Sequence, residues 1–466
     1  MEISSRRAIV LAVASLSSFL TPFLGSSVNI ALPAIGEAFS MDALMLNWVS
    51  TSYLFASAIF LLPFGRMADI YGRKLVFAWG VAILTLSSFL IVLSPSAGFV
   101  IAFRIMQGLG SSMIFGTGVA ILTSVYPPEE RGRALGINVA AVYLGLSLGP
   151  FLGGVMTEHI GWESVFLAVI PIGLAVLALT ILCVREERGG EDGAIDVPGS
   201  FVYSASLVAL MYGFSRIQEA TGIALVLAGI AGMLVFLVWE KRARHPLLKI
   251  DLITRNRQFA MSNLAAFIHY SATFAITFLM SLYLQFIKGM SPQQAGLILV
   301  SQPLVMTLFS PLAGRLSDRI APRVLASVGM AVTSLGLFLL VFLTDGAGMV
   351  QILTPLLIIG LGFAFFSSPN TNAVMGAVDR RMYGLAGGFI STMRVTGQAM
   401  SMGIVLMLFA LFIGANAITP ELYPAFMKSM RIGFAVFSLL CGLGIFASLA
   451  RGVSRNQAAE SPRQRS

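Results

Sequence analysis

Two arginines stand where an arginine is expensive. Arg104 and Arg394 each interrupt a run of apolar residues long enough to cross a bilayer. A cation at that depth costs on the order of several kcal/mol unless it faces a cavity, a partner or the membrane surface. Such a residue either binds an anionic or polar group on an interior path or ties helices together. Thr392, Thr396 and Gln398 flank Arg394 and make its surroundings polar too. His269 is the one histidine that falls inside an apolar run, and Asn263, Tyr270, Tyr283 and Gln285 share that run. Its imidazole can change charge near neutral pH, which suits a proton carrier, and it can equally be a hydrogen-bonded structural group. Ser26, Ser27 and Asn29 put three more polar side chains into the first apolar run. No carboxylate lies well inside any run. Metal clusters, phosphate-cradling loops and nucleophile constellations are missing from the sequence, so an enzyme, a cofactor and a bound metal are not expected. Cys183 and Cys441 lie in separate apolar runs and read as small buried residues.

The elements that must position these groups are membrane helices. The chain has 466 residues, of which 57% are hydrophobic and 11% charged; soluble domains carry about 25% charged residues. Its mean hydropathy is +0.87. Backbone groups in lipid must be satisfied internally, so apolar runs of about 20 residues become helices. Fourteen such runs are predicted, at about 8–32, 45–64, 75–94, 98–123, 134–156, 164–184, 199–215, 221–239, 259–287, 293–313, 324–343, 349–370, 384–414 and 430–450. The fold class expected is an all-α membrane protein with 14 transmembrane helices. The first run is too long for a signal-peptide core and many others follow it.

Charge distribution supports the count. With the N-terminus in the cytoplasm, all but six of the 30 Lys and Arg are cytoplasmic, as basic residues in membrane proteins tend to be. Arg216, Lys288, Lys428 and Arg431 fall outside, and Arg104 and Arg394 within spans. The basic character therefore follows topology. No aromatic-interleaved basic patch is present, and no nucleic acid partner is expected. Both termini are expected in the cytoplasm, the protein multi-pass in the plasma or inner membrane, and the working unit a monomer.

GRMADIYGRKL (65–75) follows the second run and GRLSDRIAPRV (314–324) the tenth, so that Gly65 matches Gly314, Arg66 matches Arg315 and Asp69 matches Asp318. Two six-helix halves joined directly would put such repeats roughly 200 residues apart. The excess corresponds to two additional helices. The expected organisation is an N-terminal six-helix half (1–184), an inserted helix pair with flanking cytoplasmic loops (185–258), a C-terminal six-helix half (259–450) and a disordered cytoplasmic tail (451–466). Parallel halves with a site at mid-membrane are a transporter plan.

The same residues resemble the major facilitator superfamily. GRMADIYGRK (65–74) is similar to its signature loop, with Gly65, Asp69, Gly72 and Arg73 in place. FRIMQGLGSS (103–112) resembles the fourth-helix motif around Arg104. GLSLGPFLGG (145–154) resembles the fifth-helix antiporter motif, complete in Gly145, Gly149, Pro150, Gly153 and Gly154. Fourteen spans with DVPG (196–199) opening the inserted pair resemble the drug:proton antiporter branch. Glycines four apart let helix backbones approach, and Pro150 removes a backbone hydrogen bond. Asp69, at a helix end and four residues before Arg73, suits a conformational latch, repeated at Asp318; a topology-setting basic loop is the simpler reading. LGSSVNIALP (24–33) resembles the branch's first-helix motif but carries Gly25 where the family has an acid. In the branch that carboxylate is associated with proton coupling and cationic drugs.

The resemblance implies a secondary transporter that exports small amphipathic molecules by proton-linked alternating access, with protons, a small-molecule substrate and the lipid bilayer as partners. The absent carboxylate with Arg104 and Arg394 favours the alternative, a permease or exchanger for an anionic or neutral metabolite. A receptor or scaffold would need a domain outside the membrane, and no connection is long enough to be one.

Overall fold

A computed structural model describes residues 3–127, 130–184, 194–244, 246–248, 250–317, 319–379 and 382–451, without the side chains of 3–6 and 132. Asp318 and the tail at 452–466 lie outside the described residues. Fourteen helices are long and apolar enough to cross a membrane: Arg7–Ala38, Ala43–Tyr71, Arg73–Val92, Ala97–Val125, Arg133–His159, Glu163–Cys183, Val197–Ser215, Ala220–Glu240, Arg257–Ile287, Pro292–Ser317, Pro322–Leu340, Met349–Met375, Tyr383–Phe412 and Pro420–Leu449. They are spans one to fourteen in chain order. An even number of crossings puts the two ends of the described chain on one face, called here the terminal face; the other is the far face. A short helix, Ile250–Arg255, follows span eight. Among the described residues there is no strand.

Local chemistry sets the helix ends. The side chain of Asp42 accepts from Met45 N–H at 2.7 Å before span two. Asn256 accepts from Phe259 N–H at 2.9 Å before span nine. Ser291 and Gln294 form a reciprocal capping box before span ten, which satisfies orphan N–H groups. Gly72, at φ 109°, turns the chain between spans two and three, a conformation that favours glycine.

Span fourteen departs from expectation. It begins with a 3₁₀ turn at Pro420–Leu422 and runs as α-helix from Tyr423, so Lys428 and Arg431 lie inside the helix. Both side chains are accommodated near its end. Lys428 Nζ lies 4.9 Å from the Phe412 ring centroid, and Arg431 Nε donates to Leu343 O at 2.9 Å. Long cationic side chains near a helix end can reach polar groups without unwinding the helix.

The packing repeats with a shift of eight spans. Span one packs on five, two on four, three on four and three on six. Correspondingly, nine packs on thirteen, ten on twelve, eleven on twelve and eleven on fourteen. The contacts between the halves obey the same symmetry, five against ten and thirteen against two. Small residues make these approaches. A Cβ on Gly145 would stand 2.5 Å from Phe19 O, one on Gly149 would collide with Ser26 Oγ, and one on Gly153 would stand 2.7 Å from Ser27 Cβ. In the other half, a Cβ on Gly397 of span thirteen would stand 2.7 Å from Phe267 O of span nine. Spans seven and eight pack on each other, and span seven touches spans two and thirteen.

Candidate functional site

A partly open cavity lies between the halves, lined by residues from the middle of their spans. Spans one, two, four and five face spans nine, ten, twelve and thirteen across it. Its wall is aromatic and neutral-polar. Tyr53, Phe115, Tyr143, Tyr270, Phe274 and Phe363 supply rings; Thr21, Ser26, Asn29, Ser57, Thr273, Thr277, Gln302 and Gln398 supply hydrogen-bonding groups. Arg394 is the one charged residue among those lining it. The guanidinium lies 5.2 Å from the Phe115 ring centroid, joining span thirteen to span four. None of the ion pairs among the described residues involves Arg394.

Pro150 lines the cavity and interrupts the hydrogen-bond ladder of span five. Span nine is interrupted at Phe274, beside the cavity, and ends in a π-helical turn at Tyr283–Ile287. Tyr143 and Ser367 share a hydrogen bond of 2.6 Å between the halves, and Ser147 and Thr307 one of 3.3 Å.

Of the pathway residues expected from the sequence, Ser26, Asn29, Tyr270, Arg394 and Gln398 come together on this wall. Ser27, Arg104, Asn263 and His269 stand behind it. Ser27 is fully buried, bonded to Phe23 O and packed on Gly153. Asn263 donates to Phe259 O one turn back in its own helix. Arg104 is 1% exposed. Its Nε donates to Val49 O at 2.9 Å, its Nη1 donates to Gln107 Oε1, and Gln107 in turn donates to Ser88 Oγ. The guanidinium also lies 4.4 Å from the centroid of Tyr53, whose hydroxyl meets Ser111 Oγ and donates to Thr21 O. Arg104 thus joins spans two, three and four, and reaches the cavity through a tyrosine ring. His269 stacks on Phe366 with centroids 4.0 Å apart and meets Phe363 edge-on. Its Nδ1 is 3.9 Å from Cys441 Sγ, and its Nε2 has no hydrogen-bond partner among the described residues.

Sequence reasoning did not single out Tyr53, Phe115, Tyr143, Gln302 or Phe363. In helices that are apolar all round, an aromatic ring reads the same whether it faces lipid, a neighbour or a cavity. The Gln302–Pro303 pair, polar and helix-breaking inside a span, was an available signal.

Toward the far face the halves are sealed. Ser281 Oγ donates to Asn29 O at 2.7 Å and Gln285 Nε2 to Ile30 O at 3.0 Å. His159 Nε2 meets Gln293 Oε1 at 2.9 Å, and Glu158 accepts from Gln293 N–H at 2.9 Å. Gly154 seats Pro292 and Gln293, while Gly296 seats the Pro150 carbonyl. At the terminal face, Asp69 and Arg73 are 3.3 Å apart, both partly exposed. A Cβ on Gly116 of span four would stand 3.4 Å from the Gly65 backbone. The signature-loop residues therefore lie between spans two, three and four.

Comparisons with known proteins agree with this architecture. The family model described as Major Facilitator Superfamily matches residues 14–402. The cephamycin export protein CmcT of Amycolatopsis lactamdurans is 32% identical over 447 residues, covering 94% of this chain and 91% of the relative. The riboflavin transporter RibZ of Clostridioides difficile (strain 630) is 28% identical over 444 residues, covering 95% and 96%. The multidrug resistance protein Stp of Mycobacterium tuberculosis is 29% identical over 398 residues, covering 84% and 73%. Among solved structures, a bacterial homologue of the human lysosomal transporter Spinster, inward-facing and unoccupied, superposes with a TM-score of 0.66 at 16% identity, covering 96% of this chain and 97% of that one.

Proposed function

This chain belongs to the Major Facilitator Superfamily, and on that premise we propose that it is a proton-linked exporter of small, flat, amphipathic molecules that are neutral or anionic. The observation that carries the charge preference is the cavity wall: six aromatic residues and one cation, Arg394, outside the ion pairs of the described residues, with no carboxylate among the lining residues. Rings in a cavity favour flat apolar ligands. A guanidinium in the same space attracts a carboxylate or phenolate and repels an ammonium. Export is supported by the relatives named for cephamycin export and multidrug resistance and by the complete glycine motif of span five.

Alternating access follows from the contacts that must exchange. Opening toward the far face breaks the bonds from Ser281 and Gln285 to the span-one carbonyls and parts span five from span ten. Asp69 with Arg73, and Asp318 by sequence repeat, would act as latches at the terminal face. We assign that face to the cytoplasm, in a multi-pass protein of the plasma or inner membrane working as a monomer. A second reading, a permease for a neutral or anionic metabolite, is supported by the relative named for riboflavin transport.

The test is flux in vesicles under imposed pH gradients, with cationic, neutral and anionic aromatic probes of similar size. Gradient-driven movement of neutral and anionic probes out of the cytoplasmic side is expected. Preferred movement of cations would overturn the charge reading, and flux indifferent to the gradient would overturn proton coupling. Comparison with His269→Ala asks whether the histidine carries the proton: flux that keeps its gradient dependence removes it from that role. Reporter fusions after Ala458 should read cytoplasmic and near Asp345 external.

A further inference from the structure

The inserted pair holds a second concentration of buried charge, remote from the cavity in the chain and absent from its wall. Asp196 opens span seven and Glu240 closes span eight, so both lie at the terminal face. Their relative exposures are 9% and 3%. The carboxylates converge on Gly199: a Cβ there would collide with Asp196 Oδ2 and stand 2.9 Å from Glu240 Oε1. Both Asp196 oxygens accept N–H donors, Oδ1 from Gly199 at 2.9 Å and Oδ2 from Trp239 Nε1 at 2.9 Å. Glu240 Oε2 accepts from Leu248 N–H at 2.8 Å. The Leu247 backbone also lies against this carboxylate, and among the described residues Glu240 Oε1 has no hydrogen-bond partner.

A buried carboxylate oxygen left bare beside a second carboxylate is unfavourable twice, through lost solvation and through like-charge repulsion. A proton there removes the charge and turns a bare acceptor into a donor. We infer that Glu240 Oε1 carries a proton beside the Asp196 carboxylate, at a site separate from the substrate cavity. When the proton leaves to water at the terminal face, two anions are left beside Gly199.

Among the described residues, the neighbouring charges do not neutralise the pair. Lys241, Arg242 and Arg244 after span eight, and Asp251 and Arg255 of the short helix, are exposed. On span seven, Tyr203 gives its hydroxyl to Ala58 O of span two. On span two, Asp69 is paired with Arg73, and on span thirteen Arg394 faces the cavity. Among the described residues, Asp196 is the ionisable group whose charge bears on Glu240. His245 and Lys249 lie outside the described residues. The pair matters to transport because the insert touches both halves: Tyr203 bonds span two, and Gln218 Nε2 donates to Ala410 O of span thirteen at 2.7 Å. Proton occupancy at its base therefore bears on a strap that crosses the moving interface.

Trp239 reports the site, since its indole N–H is bonded to Asp196. The full-length protein in lipid nanodiscs is titrated from pH 5 to 9, and the Trp239 emission is taken as the difference between wild type and Trp239→Phe. A one-proton transition is expected in wild type. It should vanish in Glu240→Gln, move to lower pH in Asp196→Asn, which removes the like charge but leaves Glu240 buried, and persist in His245→Gln. Two carboxyl variants guard against one failing to fold, with elution as a single wild-type-like species as the control. No transition in wild type, a transition that survives Glu240→Gln, one unmoved in Asp196→Asn, or one lost in His245→Gln would overturn the site. The readout is independent of flux, so failure here leaves the proposed export untouched, and the converse.

Discussion

Span four and span thirteen each carry one arginine at a depth where water is scarce, and the two side chains are used differently. Arg104 is enclosed. A carbonyl of span two, the Gln107 amide and the Tyr53 ring take up its guanidinium. Arg394 is half-buried, lines the cavity and rests on Phe115. The first has its electrostatic need met by the protein. The second leaves it for whatever enters. A cation within a membrane span is thus a functional signal only when its own helix bundle has not already satisfied it.

The largest effect expected is on Arg104. Arg104→Ala strands the Val49 carbonyl and the Gln107–Ser88 chain in a dry interior, at a cost on the order of 3 kcal/mol. Thermal unfolding in detergent should shift down sharply and membrane yield should fall. Arg104→Lys should recover little of it, because one ammonium cannot reproduce a planar fork that also stacks on a ring. Normal folding of Arg104→Ala with flux abolished would reverse the roles assigned to the two arginines.

Arg394→Ala should leave folding close to wild type and lower the flux of anionic aromatic probes at least tenfold, about 1.4 kcal/mol. Neutral probes should lose less. Arg394→Lys should restore part of the anion flux because the charge is kept. Equal loss for anionic, neutral and cationic probes would show that Arg394 acts on the helices and not on the ligand.

The smallest effect sharpens the contrast. Phe115→Leu removes the ring beneath Arg394, a contact worth about 0.5–1 kcal/mol. The apparent affinity for anionic probes should change twofold to fivefold, with thermal stability held. A large stability loss instead would place Phe115, and with it Arg394, in the same structural class as Arg104.

Much of the architecture is legible in the residues. Apolar length alone marks the fourteen crossings, because lipid allows no other backbone solution. The matching of Gly65, Arg66 and Asp69 with Gly314, Arg315 and Asp318 announces a repeat, and the spans pack with that same shift of eight. The start of span fourteen was not legible. Lys428 and Arg431 resemble a loop in composition, yet a ring and a carbonyl within reach let the helix carry them. The spacing of Gly145, Gly149 and Gly153 shows a helix made for close approach; that the partner is span one, at Phe19, Ser26 and Ser27, is a matter of the fold.

Sequence by itself determined how many helices are long and apolar enough to cross a membrane, and which polar residues fall within them. Those are properties of single segments, set by hydrophobic length, charge and backbone satisfaction. Tertiary structure alone decided which buried polar groups face one another and which face empty space. Arg104 and Arg394 are equivalent until span two closes over the first and the opposite half leaves room beside the second. Asp196 and Glu240, 44 residues apart, read as ordinary loop-edge acids. They come together beside Gly199 only because spans seven and eight return side by side.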